Sequence, residues 1–262
     1  MPNDFDIAAL SYDATFTNST IGKAQRKQVQ KHLKGLLCTK SKQQILELNC
    51  GTGEDASYFE KLGHQITATD ISNEMLKIAK QKSKNSTSEF KILDIKKIKQ
   101  IENNKTFDLI FSNFGGFNCL SKKEIKTFFS SVKNILQQNG KLVLVIMPKN
   151  TIWEKIYFFF KGDFTKAKRR NTSNAIKANV DGVSVKTWYF NPNEIKNIAY
   201  GFSVIKIKPI GLFVPPSYLQ KSFLGNKIVI SILQKLDHIF ELSFLSKYAD
   251  HYYIEFQKKS DL

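Results

Sequence analysis

Acidic residues and glycines recur in the first half of the chain near the ends of short apolar runs. Glu47 lies near the end of one run, Gly51 and Gly53 follow it, and Asp70 and Asp94 come at the ends of two later runs. Glycines in a turn after a strand let a ligand approach the main chain, and an acid after the next strand can bind ribose hydroxyls. These residue types, in this order, predict a site for an adenosyl-type ligand.

The elements that must position these residues alternate between strand-like and helix-like patterns. Five short apolar runs are predicted to be strands, at residues 44–49, 65–71, 90–95, 107–113 and 142–147. Helical patterns lie between them, including one that Ser121 and Glu124 open as a capping box and that we expect to end at Gly140. This alternation predicts an α/β fold with a parallel sheet and helices on both faces.

The alternation breaks after Pro148. An aromatic helix, a basic turn at 166–170 and a hairpin around Asp181 and Gly182 are predicted there, and 203–210 and 251–257 are predicted to be further strands. The N-terminal segment 1–20 is expected to have no regular secondary structure and to pack against the rest of the domain. We expect one domain over 1–262, with an N-terminal lid and helix at 1–40, a cofactor-binding core at 41–148, and substrate-lid insertions at 149–190 and 212–249.

The formal net charge of +17 is typical of proteins that bind nucleic acid. The lysines are scattered along the whole chain, however, and this is typical of solvated helix faces. We therefore expect a small-molecule substrate rather than nucleic acid, with contact to an anionic membrane surface as an alternative. No apolar run is long enough for a transmembrane segment, and the N-terminus has no signal-peptide pattern, so we expect a cytoplasmic protein.

Four stretches together resemble the motif series of class I S-adenosylmethionine-dependent methyltransferases. They are Leu-Glu-Leu-Asn-Cys-Gly-Thr-Gly-Glu-Asp at 46–55, Ala-Thr-Asp-Ile-Ser-Asn-Glu-Met-Leu at 68–76, Ile-Leu-Asp-Ile at 92–95 and Phe-Asp-Leu-Ile-Phe-Ser-Asn-Phe-Gly at 107–115. Ser-Tyr-Asp-Ala-Thr-Phe at 11–16 resembles the lid of the small-molecule branch. The glycines alone leave a Rossmann dehydrogenase open, with its third glycine near Ala56, and the whole series favours the methyltransferase. The resemblance implies a Rossmann-like, seven-stranded, mostly parallel sheet with an antiparallel last strand, and lids after strands five and six.

The resemblance also implies which residues bind the cofactor, S-adenosylmethionine. Asp70 would accept from the ribose hydroxyls, Asp94 would accept from the adenine amine, Tyr12 would cover the cofactor, and Arg26 would pair with its carboxylate. Asn49 departs from the family, where Asp or Gly is usual, so we expect weaker polar contacts there. The remaining predicted binding residues are Glu47 beneath the loop, Gly51 and Gly53 against the methionyl part, Ile71, Met75 and Ile95 around adenine, and Ser112 at the amino end.

His251 is the predicted general base, because an antiparallel last strand would begin at the edge of the sheet where the cofactor binds. A structural histidine at the strand start is the alternative, and Asn113 is a second catalytic candidate. No metal is expected, since Ser112 and the segment 147–150 supply none of the acids that metal-dependent relatives present after strands four and five.

The two insertions are predicted to form the substrate pocket. Their large aromatic residues are expected to line an apolar lid, at positions 153, 157–160, 188, 189, 213, 218 and 223. Arg169 and Arg170 are predicted to lie in a solvated turn, with binding of an acidic substrate group as the alternative. We therefore expect methyl transfer to a small, largely apolar or aromatic metabolite, preferably at oxygen. The alternatives are RNA or protein methylation, favoured by the charge, and a cofactor-binding protein without transfer activity.

Overall fold

The computed structural model describes residues 4–38, 41–84, 86–101, 105–180 and 182–259. Its strands are β1 (Gln44–Leu48), β2 (Gln65–Asp70), β3 (Glu89–Ile92), β4 (Phe107–Ser112), β5 (Leu136–Ile146), β6 (Ile176–Val180), β7 (Val183–Thr187), β8 (Phe202–Ile210) and β9 (His251–Lys258). Seven of them form one sheet in the order β3-β2-β1-β4-β5-β9-β8, and β6 and β7 form a separate hairpin. β1 to β5 pair in parallel, and β9 runs antiparallel to β5 and β8. The expected Rossmann-like sheet with an antiparallel last strand is therefore confirmed.

The helices are α1 (Asp4–Tyr12), α2 (Thr20–Leu37), α3 (Glu54–Lys61), α4 (Asn73–Lys82), α5 (Lys122–Val132), α6 (Ile152–Phe160), α7 (Phe164–Ala167), α8 (Pro192–Ile198) and α9 (Lys227–Ile239). They cover both faces of the sheet. Ile45 and Leu46, neighbours on β1, belong to different hydrophobic clusters, because successive side chains of a strand point to opposite faces. α2, α3 and α4 pack on the Ile45 side, and α5 and α8 pack on the Leu46 side. Burial on both faces explains why these strands are almost continuously apolar.

The N-terminal lead is helical, and the expectation of an irregular segment was wrong. Ala8 and Ala9 of α1 are buried against Met75 of α4, and α1 continues into a π-helical turn at Asp13–Thr17. Ser19 then caps α2 by accepting a hydrogen bond from the Gly22 N–H. Single π-helical turns are often found at functional sites, and this one lies beside the glycine loop.

The expected end of α5 was also wrong. The Ser121–Glu124 capping box is present, but the helix ends at Val132 instead of continuing to Gly140. The Phe107 N–H donates to the Ile135 carbonyl, and Phe107 pairs with Leu136 in the sheet. Pairing with β4 therefore draws the segment from Leu136 onward into a long β5.

The second half of the chain contains the expected hairpin, as β6 and β7, although Asp181 itself lies outside the described residues. The segment 215–247 holds short 3₁₀ turns on both sides of α9. The division of the chain into a core and substrate-lid insertions stays a prediction. Among the described helices, none is long and apolar enough to cross a membrane.

Candidate active site

A cavity of about 420 Å³ opens at the carboxyl ends of the parallel strands. Its wall includes the segments that follow β1 to β5 and the start of β9. β1 and β4 are neighbours in the sheet, and the strand order reverses between them. Open α/β sheets bind ligands at this reversal point, and the volume lies in the range of about 300–1,000 Å³ typical of small-molecule sites.

The glycine loop after β1 forms one wall of this cavity. Asn49 and Gly51 line it, and both have left-handed backbone angles, with φ of 51° and 54°. A Cβ placed on Gly51 would lie 3.7 Å from the Tyr12 ring, in the space between the loop and α1. The absence of a side chain at Gly51 therefore leaves room for a ligand between the loop and Tyr12.

Gly53 does not line the cavity, in contrast to its predicted contact with the methionyl part of the cofactor. Its φ is 79°, and a Cβ there would lie 3.0 Å from the Cβ of Ala79 and 3.3 Å from the Phe90 ring. The absence of a side chain at Gly53 therefore allows the start of α3 to pack closely against α4.

Asp70 ties the end of β2 to the glycine loop. Its two carboxylate oxygens accept hydrogen bonds from the N–H groups of Gly51, at 2.8 Å, and Ser72, at 2.9 Å. Burial raises the pKa of Asp70, and these two donors oppose the rise. The carboxylate lines the cavity and has lone pairs left for a further donor.

Four more of the predicted cofactor residues line the same part of the cavity: Ile71, Met75, Asp94 and Ile95. Met75 is buried beneath α1, and Ile71 is 42% exposed. Asp94 caps the 3₁₀ turn Ile95–Gln100 by accepting from the Lys96 N–H at 2.9 Å. The structure therefore brings the residues expected around adenine together in one wall.

α1 is fastened over this wall by two aspartates. Asp6 accepts a hydrogen bond from the Ser72 hydroxyl at 2.6 Å, and Asp13 accepts one from the Thr52 hydroxyl at 2.5 Å. Tyr12 lies between them and lines the cavity. Burial raises the pKa of Tyr12 to about 12, so its phenol stays protonated at neutral pH. Tyr12 therefore covers the wall at the glycine loop, and its contact with the cofactor stays a prediction.

Arg26 lies behind the wall, and its geometry does not match the predicted pairing with the cofactor carboxylate. Its Nη1 donates to Asp55 Oδ2 at 3.2 Å, and the Asn113 amide donates to the same oxygen at 2.9 Å. The guanidinium lies 5.3 Å from the centre of the Phe114 ring. Arg26 does not line the cavity. Asp55 therefore forms the ion pair with Arg26 and accepts the hydrogen bond from Asn113. Asp55 was not among the residues predicted from the sequence.

Two other predicted residues, Glu47 and Ser112, also lie behind the wall. Glu47 is 2% exposed, and burial raises its pKa well above the usual value, against the opposing Ala56 N–H. Glu47 therefore lies beneath the start of α3, close to the predicted position beneath the glycine loop. The Ser112 hydroxyl accepts from the Asn49 amide at 2.5 Å, which links the ends of β1 and β4.

Phe114 connects the two halves of the cavity and was missing from the predicted site. Its φ of 41° is unusual for a bulky residue and is a strained conformation of the kind found at functional sites. The ring stands edge to face against Phe16, at 4.9 Å, and against His251, at 5.4 Å. The signal in the sequence was an aromatic residue followed by Gly115 and Gly116 directly after a strand.

His251 lines the cavity beside Asp250, at the start of β9. Its Nδ1 lies 3.2 Å from Asp250 Oδ2, and the same oxygen accepts from the Gln25 amide at 3.0 Å. Burial alone would raise the pKa of Asp250, but His251 and Arg170 hold it below its usual range. The contact lacks hydrogen-bond geometry, and Nδ1 is buried without a hydrogen-bond partner among the described residues. The ionised carboxylate beside it favours a proton on Nδ1, which leaves Nε2 as a proton acceptor.

Arg170 is buried, and its prediction as part of a solvated turn was wrong. The Nε atoms of Arg169 and Arg170 donate to the two oxygens of Glu154. Arg170 is 7% exposed, and its guanidinium lies 4.4 Å from the centre of the Tyr189 ring. Both arginines line the cavity.

The predicted aromatic lining is mostly absent. Of the aromatic residues expected there, Tyr189 and Tyr218 line the cavity. Trp188 packs on the hydrophobic core, and Phe160 and Phe223 are 83% and 77% exposed. Sequence reasoning could identify large apolar residues in the insertions but not the direction in which each one points.

Asn118 holds the far wall together. It is fully buried, its Oδ1 accepts from the Met147 N–H at 2.9 Å, and its Nδ2 donates to the carbonyls of Met147 and Trp188. One amide thereby joins the segment after β4 to the ends of β5 and β7. In the described parts of the chain, no group of three or more His, Cys, Asp or Glu side chains is placed to hold a metal ion.

Comparison with known proteins gives matches that agree with this geometry. Residues 45–140 match a family model described as a methyltransferase domain. A malonyl-[acyl-carrier protein] O-methyltransferase of Acetivibrio thermocellus is 36% identical over 125 residues, which are 44% of this chain and 40% of that protein. A non-reducing polyketide synthase of Penicillium brasilianum is 28% identical over 167 residues, which are 59% of this chain and 6% of that protein. The chain thus spans less than half the length of these relatives.

A solved structure, that of an S-adenosylmethionine-dependent methyltransferase from Clostridium acetobutylicum, has the same fold. It superposes with a TM-score of 0.58 at 14% sequence identity, over 97% of this chain and 98% of that one. The motif series, the sheet order and the family match agree with one another. Residues 45–140 match a methyltransferase domain, and the chain has the fold of an S-adenosylmethionine-dependent methyltransferase.

Proposed function

We propose that the chain transfers a methyl group from S-adenosylmethionine to a small metabolite with a largely apolar or aromatic body, and that oxygen is the preferred acceptor atom. One observation carries the proposal. The glycine loop with Asp70 and the His251–Asp250 pair line the same cavity. One relative is named as an O-methyltransferase and another, at 33% identity, as a C-methyltransferase, so the preference for oxygen rests on the His251–Asp250 pair.

The residues around the glycine loop fit the cofactor. Gly51 leaves a gap beneath Tyr12 that a side chain would fill, and Asp70 offers a carboxylate to ribose hydroxyls. Asp94 and Ile95 would accommodate the adenine, and Tyr12 would cover the ligand. When bound, S-adenosylmethionine supplies an electrophilic methyl group carried on a positively charged sulfur.

His251 would act as the general base for the acceptor. Its Nε2 takes the proton of a substrate hydroxyl, and Asp250 stabilises the imidazolium that forms. Gln25 fixes Asp250 in turn, through the 3.0 Å hydrogen bond to its Oδ2. Phe114 packs on the imidazole and limits its rotation. Such a positioned base typically contributes about 10²–10⁴-fold to the rate.

Calorimetric titration of the purified protein tests the cofactor. We expect one S-adenosylmethionine or S-adenosylhomocysteine molecule to bind per chain, and NAD not to bind. Absence of binding, or binding of NAD alone, would refute the proposal.

Turnover on a panel of phenols, alcohols and amines tests the base. We expect His251→Ala to lower kcat on a hydroxyl acceptor by about 100-fold or more while leaving the affinity for S-adenosylhomocysteine unchanged. His238→Ala is the matched control, because His238 is on the surface near the end of α9. Unchanged turnover in His251→Ala would remove His251 as the base.

RNA methylation is a second candidate, favoured by the net charge of +17. It predicts tight RNA binding that weakens steeply with salt, together with methyl transfer to RNA. That pair of results would replace the small-molecule proposal.

A further inference from the structure

We propose that the methyl acceptor carries a carboxylate and that Arg170 binds it. This inference rests on the proposed function, because it names the class of substrate that enters the same cavity. The cavity wall on the side of the β6–β7 hairpin supplies the charges and hydrogen bonds that support it.

Two arginines share one carboxylate in this wall. The Nε atoms of Arg169 and Arg170 occupy both oxygens of Glu154, so one positive charge has no matching negative charge in the triad. Asp250 is the other acid nearby, and it lies against His251, with 3.2 Å between them. Arg170 and Asp250 also attract each other, so the two arginines and the two carboxylates balance in charge, and what Arg170 lacks is a hydrogen-bond partner rather than a counter-charge.

Arg170 also has an unused donor. Its Nη1 is buried and has no hydrogen-bond partner among the residues that the structure describes. A buried, unsatisfied donor on a charged group is destabilising, and native proteins rarely retain one without a reason. Because Arg170 lines the cavity, the group that satisfies it can come from a ligand.

The guanidinium is held in place for such a ligand. Its Nε is fixed by Glu154, and its plane lies over Tyr189 at 4.4 Å. A planar guanidinium with donors left over matches the geometry of a carboxylate. Tyr189 and Tyr218 also line the cavity, and burial raises the pKa of each phenol, so both stay protonated and can donate.

The rest of this wall is mixed, since polar Asn179, Thr187 and Ser217 lie among its apolar residues, and the apolar ones suit the body of the substrate. Ala178, Val185 and Pro216 line the cavity near the arginines. A substrate whose acid group binds Arg170 would have its apolar body against these residues and its hydroxyl toward His251. The carboxylate would then determine which substrates are accepted and would orient them.

The test is a binding assay with matched pairs of probes. The protein is saturated with S-adenosylhomocysteine, and its thermal shift and calorimetric affinity are measured for aryl and alkyl carboxylates, each paired with its primary amide. Aryl phosphates, each paired with the parent alcohol, form a second arm. We expect the carboxylates to bind at least about 10-fold more tightly than their amides, since the charged pair is lost in the amide.

Arg170→Gln should abolish this preference, with a loss of about 10- to 100-fold in carboxylate affinity. Glu154→Gln combined with Arg170→Gln removes both members of the buried pair, and it keeps the test valid if Arg170→Gln alone does not fold. The matched control is Lys168→Gln, which removes an exposed charge from the same segment and should keep the preference. Retained affinity for S-adenosylhomocysteine shows that each variant is folded.

The outcomes separate this inference from the proposed function. Failure to bind S-adenosylhomocysteine would refute the proposed function. Normal S-adenosylhomocysteine binding without a preference for carboxylates, or with a preference that survives in Arg170→Gln, would overturn the inference alone. A preference for phosphates over carboxylates would also overturn the choice of carboxylate.

Discussion

Replacing each of the two loop glycines with alanine should separate ligand binding from folding. Gly51 and Gly53 both have positive φ, at 54° and 79°, so alanine at either position costs about 1–2 kcal/mol of backbone strain. At Gly51 the new methyl group meets Tyr12 at 3.7 Å and enters the cavity. At Gly53 it meets Ala79 at 3.0 Å and adds an overpacking cost of about 1–3 kcal/mol.

The two variants therefore have opposite expected profiles. Gly51→Ala should lower the free energy of unfolding by about 1–2 kcal/mol and weaken S-adenosylhomocysteine binding by about 5- to 150-fold, as for a 1–3 kcal/mol clash. Gly53→Ala should lower the free energy of unfolding by about 2–5 kcal/mol and leave the affinity of the folded protein nearly unchanged.

Chemical denaturation gives the first quantity, and calorimetric titration gives the second. The reasoning is refuted if Gly51→Ala binds like the unmodified chain, or if Gly53→Ala loses affinity without losing stability. Either result would mean that the ligand contacts the loop on its α4 side.

Two further predictions concern buried polar groups. Asn118→Ala removes three hydrogen bonds and leaves the Met147 N–H and the Trp188 carbonyl unpaired, whereas the Met147 carbonyl keeps the Phe190 N–H. Denaturation should therefore show a loss of about 2–4 kcal/mol, and a loss below about 1 kcal/mol would contradict the role of Asn118 as the link in the wall. Burial lowers the pKa of His32 to about 4, although Glu241 opposes the shift. As the pH falls, His32 in the unfolded chain takes up a proton before His32 in the folded chain does. The contribution of His32 to the free energy of unfolding is therefore fully present above pH 6.5 and decreases by about 3 kcal/mol towards pH 4. The difference in stability between the unmodified chain and His32→Gln should shrink over that pH range, and a constant difference would contradict the buried neutral imidazole.

The sheet could be predicted well from the sequence, because its strands are buried on both faces and therefore appear as short apolar runs. β1, β2 and β4 were each expected to end one residue later than observed, and β3 was expected to end three residues later. β5 was the exception. Residues 137–139 are polar and exposed, and only pairing with Phe107 shows that they belong to a strand. Local pattern cannot show a strand that long-range pairing creates.

The site was predictable where the order of the chain determines position. Gly51, Asp70 and His251 meet because parallel strands end at one edge and the antiparallel β9 begins there. The burial of Arg170 could not be predicted, because a basic run is ordinarily solvated. Its partner Glu154 lies 16 residues earlier, on α6, and only the folded chain shows that the two form a pair. Arg26 was likewise predicted to pair with the cofactor carboxylate, because its ion pair with Asp55 cannot be recognised in the sequence.

The central claim is that the cavity binds S-adenosylmethionine against Asp70 and Gly51, with the acceptor on the His251 side. A crystal structure with bound S-adenosylhomocysteine tests it most directly. We predict the ribose hydroxyls within hydrogen-bonding distance of the Asp70 carboxylate, the ligand passing between Gly51 and Tyr12, and its sulfur facing His251. A ligand bound elsewhere, or one whose sulfur faces away from His251, would contradict the claim.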